Sequence, residues 1–168
     1  MSMQRILVIG GSGAGKSTLS VELAKKLNLP LVHLDRLFWR AGWQHVSREE
    51  FDNRLLKELM QPAWIIDGEY SRTLKTRLSY CDTVIFLDYS RFVCLMGVLK
   101  RILTGYGKTR PDMGEGCPER FDWEFLKYVW NFNKNNRQKT YHLLETEKNK
   151  NIIILKSRRE AARLLQTF

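Results

Sequence analysis

The chain is 168 residues long, carries a formal net charge of +10 and is 43% hydrophobic, with five tryptophans. This length and composition predict one folded domain and argue against a disordered chain. No apolar run approaches the ~20 residues that cross a bilayer, and no leader segment precedes the first predicted strand, so we expect a cytoplasmic protein. The three cysteines are odd in number and far apart, which argues against a disulfide framework and a zinc site.

The first predicted strand and helix flank a glycine-rich loop. Residues 5–9 are an apolar, β-branched run that predicts a buried strand, and leucines recur on one face of a helix over 16–27. Between them lies the pattern G-x-x-x-x-G-K-[ST], which indicates a phosphate-binding P-loop. The candidate nucleotide-binding residues are Gly10, Gly11, Ser12, Gly13, Ala14, Gly15, Lys16, Ser17 and Thr18.

The chemistry of this loop predicts that the protein binds a nucleoside triphosphate. Glycines let consecutive backbone N–H groups point at an anion, and the helix N-terminus adds unpaired donors and the positive end of its dipole. Lys16 is expected to contact the β- and γ-phosphates, and the Ser17 hydroxyl is expected to coordinate Mg²⁺. The expected cofactors are therefore ATP and Mg²⁺.

The second predicted strand, residues 31–35, ends at Asp35, where α/β proteins place ligand-contacting groups. A carboxylate there could accept a proton from a substrate hydroxyl or orient that hydroxyl. The alternative is a carboxylate that caps the next turn. His33, two residues earlier, is interpreted as a packed, hydrogen-bonded residue rather than a catalytic one.

A segment that binds the acceptor substrate is predicted over residues 36–62. It begins with two arginines and two tryptophans around a glycine, and Arg36 and Trp39 are its candidate substrate contacts. A local hydrophobic cluster that anchors a loop explains the same residues equally well. A Ser-x-x-Glu capping box predicts a helix over about 48–60. Arg72, at the start of a later helix, could bind an acceptor phosphate bidentately, unless it is an ordinary surface residue.

Two further strands end in carboxylates that could serve Mg²⁺. The strand over 63–68 delivers Asp67 beside the P-loop, as in Walker B sites. The strand over 83–88 delivers Asp88, which ranks second because a plain crossover helix follows it. That helix, over 92–103, carries an apolar face made of Val93, Met96, Leu99 and Leu103.

The longest predicted loop covers about residues 104–121 and contains four glycines and two prolines, which interrupt regular structure. Loops of this length in compact domains are often lids. Arg101, Arg110 and Arg120 lie in or beside it, so closure could bring cations onto transferring phosphates and expel water. The alternative is a mobile surface loop with scattered charges.

The rest of the chain predicts helices over 122–132 and up to Leu144, a fifth strand over 151–156, and a capped final helix. The loop at 156–158 is expected to contact the nucleotide base. Strands and helices alternate throughout, which implies an α/β fold: a five-stranded parallel sheet with helices on both faces, in one domain over 1–168.

With these residues in view, the chain resembles the adenylate-kinase-like P-loop small-molecule kinases, and within them the bacterial DNA topology modulation proteins (FlaR-like). The resemblance rests on the P-loop at 10–17, His-Leu-Asp with Phe-Trp close behind at 33–39, and Trp-Ile-Ile-Asp-Gly at 64–68. It continues with Tyr-Ser-Arg-Thr at 70–73 and with Arg-Pro-Asp-Met and Gly-Cys-Pro-Glu-Arg-Phe-Asp-Trp across 110–123, and it covers nearly the whole chain. It implies strand order 2-3-1-4-5, Mg²⁺-ATP and an arginine-bearing lid.

Two functions follow from these observations. The first is an ATP-dependent phosphotransferase that moves the γ-phosphoryl group of Mg-ATP to a small acceptor, with nucleotides and nucleosides as candidates. Lys16 and the arginines near the lid would stabilise phosphoryl charge, Ser17 and Asp67 would hold Mg²⁺, and Asp35 would position the acceptor hydroxyl. The alternative is an ATP-binding DNA topology modulation or regulatory protein that binds nucleic acid through its more basic second half.

Overall fold

The computed structural model describes residues 3–168; Met1 and Ser2, which begin the predicted domain 1–168, lie outside the described residues. Five strands of the described chain form one parallel sheet, and two form a small antiparallel hairpin. The strands in chain order are β1 (Arg5–Gly10), β2 (Leu31–His33), β3 (Trp39–Arg40), β4 (Gln44–His45), β5 (Trp64–Asp67), β6 (Thr83–Leu87) and β7 (Asn151–Leu155). The sheet order β2-β5-β1-β6-β7 confirms the predicted order 2-3-1-4-5 of the five parallel strands.

Helices cover both faces of this sheet. They are α1 (Lys16–Leu27), α2 (Leu34–Phe38), α3 (Arg48–Leu59), α4 (Ser71–Tyr80), α5 (Arg91–Gly105), α6 (Trp123–Phe132), α7 (Gln138–Glu145) and α8 (Arg158–Gln166). At both predicted capping boxes the N-cap serine caps its helix: Ser47 accepts from the Glu50 N–H and Ser157 from the Glu160 N–H. Within residues 3–168, no helix combines the length and apolar character that crossing a membrane requires. The cytoplasmic location stays a prediction.

Two hydrophobic layers hold the helices against the sheet. Successive side chains of a strand point to opposite faces, so Ile6 and Val8 pack with α1, α5, α6 and α8. Leu7 and Ile9 pack with α3, α4 and α7 on the other side. The five strands are parallel, so their carboxyl ends meet at one edge, and the loops that follow them are brought together there.

The second strand is shorter than the sequence predicts. It ends at His33, and Asp35 lies in the first turn of helix α2 rather than at the end of a strand. The reason is that β2 is an edge strand whose neighbour in the sheet is β5, and the pairing ends where His33 lies opposite Asp67. The backbone beyond His33 has no strand to pair with, so it turns into a helix that hydrogen-bonds internally.

Helix α5 buries a different face from the predicted one. Cys94, Val98 and Ile102 are in the core, whereas Met96 is 63% exposed and Leu103 is 83% exposed. The side of α5 that carries Gly97 lies against the P-loop, where a Cβ on Gly97 would be only 2.1 Å from the Gly13 carbonyl oxygen. This close approach requires the Gly97 side of α5 to face the P-loop. Hydrophobic periodicity alone does not predict that contact.

Candidate active site

The P-loop connects β1 to α1 at the carboxyl edge of the sheet, as predicted. Gly13 and Gly15 have φ values of +81° and +95°, a region that residues with a Cβ rarely adopt. A Cβ on Gly13 would also lie 2.1 Å from the carbonyl oxygen of Cys94, so only glycine fits between the loop and α5. The loop therefore keeps the tight curvature that turns its amides toward a bound anion.

A cavity of about 710 Å³ opens over this loop, a volume typical of small-molecule sites, which span about 300–1,000 Å³. Its walls come from the P-loop, α1, α2, β5, α5, α8 and the loop over residues 106–122, which we call the lid loop. The predicted site residues that line it are Ser12, Gly13, Ala14, Gly15, Lys16, Ser17, Thr18, Asp35, Asp67, Arg101 and Arg110. The fold thus brings together side chains that lie far apart along the chain.

Lys16 and Ser17, the two reactive side chains of the P-loop, each donate a hydrogen bond to another part of the protein. The Lys16 ammonium donates to the Gly11 carbonyl oxygen at 2.9 Å. The Ser17 hydroxyl donates to Asp112 Oδ2 of the lid loop at 2.8 Å. Asp112 was not singled out by its sequence, because nothing in the local pattern connects it to a residue 95 positions earlier. Its carboxylate places oxygen ligands beside the Ser17 hydroxyl.

Asp35 is held at the cavity by a tyrosine. The Tyr70 hydroxyl donates to Asp35 Oδ1 at 2.6 Å. Burial raises the pKa of Asp35, while the Tyr70 hydrogen bond and the charges of Lys16 and Arg110 oppose that rise. Burial beside Asp35 also raises the pKa of Tyr70 far above its ordinary value, so Tyr70 stays a donor. A carboxylate with a raised pKa is better suited to accept a proton near neutral pH than an ordinary one.

The turn that carries Tyr70 is fixed by a buried arginine that sequence reasoning missed. The Arg77 guanidinium donates to the carbonyl oxygens of Gly68 and Tyr70 at 3.0 Å each, and also to that of Glu69. Tyr70 itself has φ +29°, which is unusual for a residue with a side chain. Burial lowers the pKa of Arg77 to about 10, which still leaves it charged at neutral pH. Arg77 thus supports the turn that aims Tyr70 at Asp35.

Glu69 links the same turn to the start of the P-loop. Its Oε2 accepts a hydrogen bond from the Gly10 backbone N–H at 3.0 Å. Burial raises the pKa of Glu69, and the charge of Lys16, the Gly10 amide and the charge of Arg77 oppose that rise. The sequence offered one signal for it, a carboxylate directly after Asp67-Gly68, but no local pattern predicts which amide it binds.

His33 and Asp67 form a pair beneath the cavity. The His33 Nδ1 lies 2.9 Å from both carboxylate oxygens of Asp67, which is 4% exposed. Burial lowers the pKa of His33, but the hydrogen bond and charge of Asp67 outweigh it, so the pKa is raised above its usual value. His33 is thus a packed, hydrogen-bonded residue, as the sequence analysis interpreted it.

Asp88, the second candidate for Mg²⁺, belongs to a different cluster. Its Oδ1 and Oδ2 accept from Arg137 at 2.7 and 2.8 Å, and Oδ2 also accepts from Tyr141 at 2.6 Å and from Lys156. These partners hold the pKa of Asp88 well below its usual range despite the opposing effect of burial. Asp88 lines a separate cavity and has its charge satisfied there, whereas Asp67 lines the P-loop cavity.

Arg101 of α5 and Arg110 of the lid loop form a pair at the cavity. Oε2 of the buried Glu119 lies 3.0 Å from Arg101 Nε and 3.1 Å from Arg110 Nε. Arg110 also donates to Asp112 Oδ2 at 3.0 Å. Burial and the neighbouring charge of Arg110 lower the pKa of Arg101, and Glu119 opposes that change. One buried carboxylate therefore holds two like charges together at the edge of the cavity.

The lid loop rests on the β3–β4 hairpin, which the sequence analysis did not predict. The Gly42 N–H donates to the Gly116 carbonyl oxygen at 2.8 Å, and the Trp43 indole donates to the Pro118 carbonyl oxygen at 3.2 Å. The Cys117 thiol donates to a hairpin carbonyl at 3.0 Å. These contacts hold the lid loop against the hairpin, with Asp112 in contact with Ser17 of the P-loop.

Besides Gly10 and Gly11 at the start of the P-loop, four predicted site residues lie away from the cavity lining. Arg72 is paired with Asp52 through two hydrogen bonds of 2.6 and 2.9 Å at the surface. Arg120 lies 5.1 Å from the ring centre of Trp43, and Trp39 packs in the aromatic cluster of the hairpin. Arg36 is an exposed residue of α2. The structure therefore does not bring these side chains to the P-loop, and their predicted roles stay predictions.

The residues around Ser17 fit a magnesium ion. Ser17 and Asp67 line the same cavity and offer hard oxygen ligands, and Asp112 adds a third at its edge. Within the described residues, no three His, Cys, Asp or Glu side chains gather as a self-sufficient metal site. That arrangement suits Mg²⁺, which proteins usually hold through one or two side chains together with substrate phosphates.

Comparison with known proteins identifies solved structures of similar architecture. A shikimate kinase from Bacteroides thetaiotaomicron aligns with a TM-score of 0.57 and 20% identity, over 99% of this chain and 96% of that chain. A shikimate kinase from Acinetobacter baumannii, in complex with shikimate, aligns with a TM-score of 0.64 and 16% identity, over 99% and 90%. No protein-family model and no curated protein matches the sequence. The chain therefore shares the α/β P-loop fold of the shikimate kinases.

Proposed function

We propose that this protein is an ATP-dependent phosphotransferase that transfers the γ-phosphoryl group to a hydroxyl of a small acceptor. One observation carries the proposal: a single cavity holds the P-loop lysine, a carboxylate with a raised pKa, and two arginines at the base of a closed lid loop. Phosphoryl transfer needs this combination of charge stabilisation, proton acceptance and exclusion of water.

Each side chain has a role that follows from its position. Lys16 exchanges its Gly11 carbonyl contact for the β- and γ-phosphates, which offer stronger, charged acceptors. Arg101 and Arg110 stabilise the charge that spreads over the transferring group. Asp35 accepts the proton of the attacking hydroxyl while Tyr70 keeps its carboxylate in place.

Ser17 and Asp67 would hold Mg²⁺, with Asp112 able to approach it from the lid loop. When bound, the ion neutralises phosphate charge and orients the phosphates for transfer. The Asp112 carboxylate lies 2.8 Å from the Ser17 hydroxyl, so a metal ion bound by Ser17 would also lie near Asp112.

The shared fold and the motif resemblance support a place among the P-loop small-molecule kinases. We extend this to the DNA topology modulation (FlaR-like) proteins on the motif resemblance alone. The alternative of a DNA-associated regulator rests on net charge and stays a prediction.

The test is an acceptor-dependent assay of ADP release with Mg-ATP and a panel of small hydroxyl compounds. Lys16→Met should reduce turnover at least about 100-fold, because the transferring phosphoryl loses a fixed cation. Lys26→Met, which changes an exposed lysine at the far end of α1, is the matched control and should leave turnover unchanged. Acceptor-independent ADP release, equal in the wild type and Lys16→Met, would rule out the proposal.

A further inference from the structure

We infer that the exposed face of helix α5 is the surface through which two copies of this protein associate around a two-fold axis. The inference goes beyond the proposed function, and its test needs no enzymatic activity. It comes from a row of exposed apolar side chains whose spacing, area and charge suit a second copy of the same helix.

This row, which we call the α5 stripe, occupies one side of the helix. Its members recur at intervals of four, three, four and three residues, which places them on one helical face: Phe92, Met96, Leu99, Leu103 and Tyr106. Leu99 is half-buried, and the other four are between 62% and 83% exposed. A different side of the helix serves the core, through Cys94, Val98 and Ile102. The stripe is therefore open to a partner.

The spacing of the stripe matches itself when a second α5 runs in the opposite direction. From Phe92 to Leu103 the intervals are four, three and four residues, and this order is the same from either end. A two-fold axis at the middle of this segment places Phe92 of each copy opposite Leu103 of the other. Met96 then lies opposite Leu99. Alternating intervals of three and four residues are typical of helices that pack side by side at a shallow angle, and a self-matching surface is what a two-fold dimer requires.

The exposed area is what a homodimer of ordinary size needs. Phe92, Met96, Leu103 and Tyr106 together expose roughly 500 Å² of side chain, if a large side chain offers about 180 Å² when fully exposed. A standard interface buries about 800 Å² on each partner, and in homodimers about 65% of it, or roughly 520 Å², is apolar. The stripe thus supplies the apolar part of such an interface.

Helix α6 widens this surface on one side of α5. The two helices run in opposite directions, because Phe92 packs edge-on against Trp130 at 5.0 Å between ring centres, while Arg101 lies 5.6 Å from the ring centre of Phe125. Trp123, in the first turn of α6, is 69% exposed. Two copies joined at α5 would therefore form a layer of four helices, a common way to bury apolar helix faces.

The charges near the stripe favour a second copy over an acidic protein or a nucleic acid. Between Arg91 and Lys100 the sequence has no charged residue, so the stripe itself offers an anionic partner no cation. Each copy carries a formal net charge of +10, which opposes self-association at low salt. Because salt screens this repulsion, the dimer should become more stable as salt rises. A complex with a polyanion would weaken instead.

The first test is analytical ultracentrifugation of the full chain over a wide range of protein concentration, at low and at high salt. We expect a dimer whose dissociation constant rises at least about 10-fold in Leu103→Glu, because each copy then buries an unpaired charge at the interface. Met60→Glu is the matched control: this methionine is 68% exposed at the end of α3, outside the stripe, and its substitution should leave the dimer unchanged.

A cross-linking test checks the pairing of the two helices. Phe92 and Leu103 lie about 16 Å apart along one helix, so cysteines at these two positions cannot join within a chain. The double variant Phe92→Cys with Leu103→Cys should form covalent dimers on oxidation, whereas each single variant should form few. The three native cysteines are buried and add little background.

Four results would overturn the inference: a wild-type chain that stays monomeric at every concentration, a dimer that Met60→Glu weakens as much as Leu103→Glu, a dimer that weakens as salt rises, and a double-cysteine variant that cross-links no more than the single ones. A monomer that instead binds a nucleic acid or an acidic protein through this face belongs to the first of these. None of these results bears on the proposed phosphotransferase function.

Discussion

The two ends of the cavity are built in different ways. At the nucleotide end, the candidate residues are nine consecutive positions from Gly10 to Thr18, and the proposed function assigns phosphate binding to their backbone amides. At the acceptor end, Asp35 depends on Tyr70, and the turn that carries Tyr70 depends on Arg77. The first end is a property of one short segment, while the second is a property of contacts between distant segments. A change at one end should therefore separate nucleotide binding from acceptor chemistry.

Asp35→Asn is expected to separate acceptor chemistry from nucleotide binding more than any other variant. The amide cannot accept the hydroxyl proton, so kcat/KM for the acceptor should fall by roughly 10²–10⁴-fold. ATP affinity, measured by calorimetry, should change little because the P-loop amides and Lys16 are untouched. A comparable loss in both quantities would show that the two ends are not independent.

The nucleotide end is tested by two glycines on the same helix. Gly97→Ala places a Cβ 2.1 Å from the Gly13 carbonyl oxygen, so either α5 or the P-loop must move. We expect the free energy of unfolding to fall by about 1–3 kcal/mol, together with weaker ATP binding.

Gly105→Ala is its control, because no neighbouring atom lies within 4 Å of the added Cβ. That variant should leave both quantities close to wild type. Chemical denaturation and ATP titration of the two variants measure the difference. Equal effects of the two substitutions would contradict the close approach of α5 to the loop.

The pH dependence of kcat/KM in the Tyr70→Phe variant tests the acceptor end of the cavity. The Tyr70 hydrogen bond opposes the rise in the pKa of Asp35, so removing it should raise that pKa further. The acid limb of kcat/KM, which climbs as Asp35 loses its proton, should then shift to higher pH by about one unit. Tyr80→Phe, in the last turn of α4, serves as the control. A limb that stays in place, or that moves to lower pH, would exclude Asp35 as the titrating base.

The smallest effect is expected where the lid loop rests on the β3–β4 hairpin. Trp43→Phe removes the indole donor to the Pro118 carbonyl and costs about 0.5–1.5 kcal/mol of the closed state. Turnover should fall only a few-fold, because three kinds of contact hold the lid loop. Susceptibility of the lid loop to proteolysis should rise relative to wild type, and an unchanged cleavage rate would argue against the hairpin as its support.

The comparison also explains which parts of the site were predictable. The P-loop, the five parallel strands and the capping boxes are encoded by residues within about one helical turn or one strand of each other. The hairpin escaped prediction because its strands are two residues each and carry no alternating pattern. The inward face of α5 escaped prediction because the helix is apolar on more than one side and its close approach to the P-loop at Gly97 is a long-range contact.

Local residue patterns predicted the P-loop and placed Asp35 and Asp67 near it, and the resemblance to the P-loop kinases supplied the strand order. Contacts formed on folding fix the rest: Asp35 lies on a helix and is bound by Tyr70, Asp88 is neutralised in its own cluster, and Arg72 is paired at the surface. The two groups of features depend on interactions that act over different distances along the chain. Backbone geometry and periodicity act between near neighbours in the chain, whereas the charge and burial of each site residue depend on partners that folding brings from elsewhere.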